Sequence, residues 1–146
     1  MYDPKLTMSD TDKQPTILLH SPDRDLTKSL SFLLQEKFSI ITSQCLDDLR
    51  RSRGDASIAL VVADLEKMVP QLLEEFQRWR REGSAPPIIG LYAYRQKEPS
   101  LERSIRRIVR EVLYKPVPID QVLKAIANEL HIANCTLLLQ DHSPKS

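Results

Sequence analysis

Five short apolar runs, each followed by a segment with helical spacing, constrain the fold of this chain more than any other feature. The runs are TILLH (16–20), FSIIT (38–42), IALVVA (58–63), PIIGLY (87–92) and EVLY (111–114). Each has a β-strand's length, and several are apolar throughout, as a strand covered on both faces requires. Between them the period changes. Leu26, Leu30, Leu33 and Leu34 fall on one helical stripe, as do Leu72, Leu73, Phe76 and Trp79. Val122, Leu123, Ile126 and Leu130 form another. In the fourth, Leu101, Ile105 and Ile108 are joined by Val112, which the last strand can equally claim; the second, around Leu46 and Leu49, is short. Strands alternating with helices wind as right-handed crossovers. The expected fold is therefore α/β: a doubly wound, five-stranded parallel sheet. Strand 1 is central, and ligands are met at the carboxyl ends of the strands.

At 146 residues the chain holds one domain, with a core large enough to need no staples. A 41% apolar and 28% charged composition is that of an ordinary globular protein. The net charge of +1 gives no field for nucleic acid or an anionic membrane. Cys45 and Cys135 lack metal-type spacing and fit free thiols in a reducing compartment. The first residues carry no apolar core of a signal peptide, and no run nears the ~20 residues of a bilayer span. A cytoplasmic location is expected. Residues 1–15 read as a polar lead-in and 16–132 as the domain. Residues 133–146 read as an extension of the last helix, to about Leu139, before a polar tail.

The strand ends carry HSPD after strand 1, ADLEKMVP around Asp64, LYAYR with Tyr92, and YKPVP with Lys115. In this order and spacing they resemble the receiver domain of two-component response regulators, over roughly residues 16 to 132. The resemblance implies a flavodoxin-like sheet with strand order 2-1-3-4-5. It implies that Asp64 holds the place of the phosphoacceptor aspartate and Lys115 that of its lysine partner. A lysine beside an acid keeps it ionised and neutralises oxygens of an incoming phosphoryl group. The transfer also calls for a divalent ion held by oxygen ligands. Here the chain departs from the family. Ser21 and Pro22 stand where two acids hold magnesium, so no resident cofactor is expected unless Asp64 is a working phosphoacceptor. Tyr92 replaces a small hydroxyl residue, and its ring is expected to crowd the phosphoryl space. Val112 replaces the aromatic switch residue.

Two readings of Asp64 stay open, a structural partner of Lys115 and a phosphoacceptor. The first makes the chain an atypical receiver, a phosphorylation-independent interaction or dimerisation module in bacterial signalling or transcriptional control. The alternative is a switch driven by a histidine kinase through Asp64. A third class is a domain holding a small anion near Ser21 and Lys115. On the fourth helix, Arg103, Arg106, Arg107 and Arg110 fall within an arc of about 100° opposite the apolar stripe. These arginines can be a solvated face that keeps the protein soluble, or, as the resemblance to receivers implies, part of a protein contact through the face of helix 4, strand 5 and helix 5. Aromatic interleaving and a helix-turn-helix pattern are both lacking, so direct nucleic-acid binding has no support. The histidines His20, His131 and His142 are isolated, the three glycines make no phosphate loop, and no serine sits in a nucleophile elbow. Trp79 reads as packing on helix 3. An independent enzyme is not expected.

Overall fold

A computed structural model describes residues 14–83, 85–93 and 99–131. Five strands and five helices alternate within it: β1 (Thr16–His20), α1 (Arg24–Leu34), β2 (Ser39–Ser43), α2 (Leu46–Ser52) and β3 (Ile58–Leu65). They continue with α3 (Val69–Arg81), β4 (Ile88–Ala93), α4 (Pro99–Ile108), β5 (Glu111–Lys115) and α5 (Ile119–Leu130). All strand pairs are parallel, in the order β2-β1-β3-β4-β5. The doubly wound sheet expected from the apolar runs is the one observed.

Strand alternation divides the core in two. Ile17, Leu19, Leu60, Val62, Ile89 and Leu91 face α1 and α5, meeting Leu30, Leu34, Val122 and Ile126. Leu18, Val61, Ala63, Leu65, Ile88 and Tyr92 face α2, α3 and α4, meeting Leu49, Leu72, Phe76, Trp79 and Ile105. The two-faced cover explains why β3 is buried almost without interruption. Gly90 admits the tightest approach between β3 and β4, since a Cβ there would lie 2.8 Å from Leu65 Cδ1.

Several boundaries and faces differ from the sequence reading. Strand β2 begins at Ser39, because Phe38 turns into the core beneath α1. Leu33 lies on the wrong side of its stripe and is 50% exposed, and Phe32 beside it is 71% exposed. Val112 belongs to β5, paired with Gly90. Helix α4 closes at Ile108, so Arg110 is not part of its arginine stripe. Its amide instead donates to the Ile88 carbonyl at 2.8 Å, starting the β4–β5 ladder. Helix α5 stops at Leu130 on His131, whose φ of 59° is left-handed. The proposed extension through Leu137 to Leu139 lies outside the described residues, as do Cys135, His142 and residues 1–13.

Candidate functional site

Three strand ends converge at the carboxyl edge of the sheet. Asp64 is the penultimate residue of β3, paired with Leu91, and it sits inside the strand rather than after it. Its position follows Leu60 and Val62 in the alternation, so its side chain rises on the α1–α5 side of the sheet. The residue is 1% exposed. Such a carboxylate needs partners, and it has two. Ser21, just past β1, donates its hydroxyl to Asp64 Oδ2 at 2.8 Å. Lys115, the last residue of β5, reaches across and places Nζ 2.7 Å from Asp64 Oδ1. The same ammonium is also bonded to the Glu66 carboxylate.

Each partner is fixed in turn. The Asp23 amide donates to Ser21 Oγ at 2.9 Å. Asp23 itself caps α1, its Oδ1 accepting from the amides of Asp25 and Leu26 at 3.0 and 3.3 Å. Burial acts against the Lys115 ammonium, but the hydrogen bonds to Asp64 and Glu66 outweigh it and hold the pKa above that of a free lysine. A cavity of about 250 Å³ lies over the carboxylate, walled by Pro22, Asp23, Asp64, Glu66 and Lys67.

His20, the last residue of β1, is buried behind this site, with Nδ1 2.8 Å from Ser43 Oγ. Burial lowers its pKa, against the opposing pull of Asp64 and Asp48. A histidine whose folded pKa lies below the free value of 6.5 binds fewer protons folded than unfolded. Stability is therefore expected to fall as the solution is taken from pH 7.5 towards pH 5.5. The slope is limited to about 1.4 kcal/mol per pH unit for one proton. Urea unfolding across that range should show the loss, and His20→Gln should flatten it. A wild-type curve parallel to that of the variant would remove His20 as its source.

The sequence-derived residues thus divide. Ser21, Asp64 and Lys115 meet in one hydrogen-bonded group, and Pro22 walls the cavity beside them. Tyr92 and Val112 belong with the core under α2, α3 and α4. The Tyr92 ring is buried there, 6.4 Å from that of Tyr114, and does not line the cavity over Asp64. The crowding expected of Tyr92 is therefore absent, because strand alternation sends Asp64 and Tyr92 to opposite faces. The arginines do not act as one stripe either. Arg106 is held by Glu102 at 3.3 Å and lies 5.9 Å from the Tyr114 ring, while Arg110 pairs with Glu129 at 3.5 Å. Arg103 and Arg107 are exposed. Sequence reasoning missed Glu66 and Glu102. Glu66 lies one residue past the end of β3, where strand alternation no longer fixes a side chain's face.

No known family's sequence model matches the chain, and no curated protein matches it by sequence. Solved structures do match by fold. The chain is similar to a structure named as an adenylate cyclase from Rhodopirellula baltica, with a TM-score of 0.69 at 17% identity, covering 88% of this chain and 94% of that one. It is similar to a two-component response regulator from Clostridium difficile, with a TM-score of 0.69 at 18% identity, covering 81% and 97%. It is similar too to the N-terminal signal receiver domain of a response regulator from Bacteroides fragilis, with a TM-score of 0.68 at 19% identity, covering 83% and 100%. At such identities the likeness concerns the backbone, and its sheet order and helix placement are those described above. This chain has the receiver fold of response regulators.

Proposed function

We propose that the domain is an atypical receiver that works as a phosphorylation-independent interaction module, docking or self-associating in bacterial signalling or transcriptional control. One observation carries this reading: both Asp64 oxygens are already bonded, one to Ser21 and one to Lys115, in a side chain withdrawn from solvent. Each neighbouring carboxylate has one oxygen engaged. Glu66 is bonded to Lys115, and Asp23 to the first amides of α1. Among the described residues no three His, Cys, Asp or Glu side chains form a metal-binding group. Magnesium sheds water reluctantly and binds through carboxylates. The residues present do not fit it.

With phosphoryl chemistry set aside, the scaffold's surface is what remains to act. Arg103 and Arg107 of α4 form no ion pair among the described residues, and they supply the charge for a contact through α4, β5 and α5. No helix of the described residues is long and apolar enough to cross a membrane. To test the reading, amide NMR spectra are recorded before and after adding beryllofluoride and magnesium. The expected result is no saturable shift at Ser21, Asp64 or Lys115. Saturable shifts at all three would favour the phosphoacceptor alternative.

A further inference from the structure

A groove of about 500 Å³ runs between α1 and the end of β2, far from the α4 surface. Arg24, Lys28, Phe32 and Gln35 line its helical wall, at spacings that share one side of a helix. Thr42 and Gln44 line the other wall, and no acidic side chain takes part. Arg24 and Lys28 form no ion pair among the described residues. On α2, across the sheet, Arg50 and Arg51 are by contrast both paired with acids. Phe32, at 71% exposed, offers an uncovered ring in the middle of the wall. Strand β2 is the edge of the sheet, bonded among the described strands to β1 alone. An edge strand presents a second row of amides and carbonyls to any extended chain laid beside it.

We infer that this groove docks an extended, acidic segment of a partner protein. The segment adds alongside β2, sets carboxylates against Arg24 and Lys28, and covers Phe32 with one apolar side chain. The sign of the partner follows from two cations that have no ion-pair partner among the described residues. Its extended form follows from a strand edge that, among the described strands, is bonded to β1 alone. Nucleic acid is a poorer match, because two cations neutralise too few phosphates to hold it at physiological salt. The inference is independent of Asp64, since Arg24, Lys28 and Phe32 have no bond to Asp64 or Lys115.

The full chain is titrated into a short fluorescein-labelled peptide of alternating glutamate and threonine with one central leucine, and anisotropy is recorded. Binding is expected that weakens as salt rises, given a screening length of about 8 Å at physiological ionic strength. The double variant Arg24→Glu/Lys28→Glu should weaken it at least about tenfold, as close charge pairs do at interfaces. Both positions are exposed, and acids are favoured near the start of a helix, so this variant keeps its fold. Phe32→Ala should weaken binding severalfold, whereas Arg103→Glu/Arg107→Glu should leave it unchanged. Amide shifts should centre on α1 and β2. Equal binding by a peptide with lysine in place of glutamate would overturn the inference. So would undiminished binding by the Arg24/Lys28 variant, shifts centred on α4 and β5, or no binding.

Discussion

Replacing Lys115 by methionine should lower the unfolding free energy by about 3 kcal/mol. The reason lies with what is left behind. Asp64 is 1% exposed, and without the ammonium only the Ser21 hydroxyl would still bond its carboxylate. A buried charge stripped of its counter-ion typically costs about 3–5 kcal/mol, and the low end fits a lysine side chain that is 22% exposed. Taking the acid away should be milder, because in Asp64→Asn the lysine keeps Glu66 and reaches water. The double variant Asp64→Asn/Lys115→Met should recover most of the loss, so a double-mutant cycle in urea isolates the pair. The raised lysine pKa sets the sign with pH. The stability drawn from the raised lysine pKa is in place at neutral pH and is lost as pH rises from 10.5 through the folded value. It is therefore constant at physiological pH. Lys115→Met unfolding at the wild-type midpoint would show that the contact is loose and that Asp64 is accessible.

A second large loss is expected at Glu75, in a part of the fold remote from the strand ends. Glu75 lies on the inner face of α3, 3% exposed, and receives two arginines. Arg50 Nε is 2.8 Å from one carboxylate oxygen, and Arg53 Nη1 is 2.7 Å from the other. Arg53 also pairs with Glu82 at 3.4 Å, tying the end of α2 to both halves of α3. Glu75→Ala should cost about 3 kcal/mol, from a lost pair and from the cavity left beneath two arginines. Burial acts to raise the Glu75 pKa, but the hydrogen bond from Arg50 and the charges of Arg50, Arg53 and Arg78 pull it below the usual carboxylate value. A lowered pKa gives stability that is present above 4.5 and is lost as pH falls through the folded value. Glu75→Gln should therefore be less stable than wild type at pH 7 and converge with it in acid. Stability curves that stay parallel down to pH 3 would contradict that assignment.

The sheet was legible because its three central strands, β1, β3 and β4, are buried on both faces, and so appear as unbroken apolar runs whatever surrounds them. Helix α3 was legible for a similar reason, since Leu72, Leu73, Phe76 and Trp79 all reach the core. Helix α1 shows where periodicity misleads. Leu33 fits the stripe by spacing, yet β2 is the edge of the sheet, and no element among the described residues covers it. Glu75 was hidden by its chemistry, because an acid on an apolar arc reads as solvent-facing until its arginines, more than twenty residues away in sequence, are placed beside it. At the site, Asp64 and Lys115 were found through the resemblance. Their bonding to Ser21 and Glu66 depends on side-chain reach across three strand ends, which no local pattern encodes. The Tyr92 ring was misplaced because a role in the family was carried over without the strand parity that decides which face it occupies.

Intact-mass spectrometry is the most direct measure of whether Asp64 works as an anchor or as an acceptor. The full chain is incubated with acetyl phosphate and magnesium, quenched in acid, and weighed alongside Asp64→Asn treated the same way. The account predicts an unchanged mass for both proteins. A wild-type adduct equal to one phosphoryl group, missing from Asp64→Asn, would contradict it.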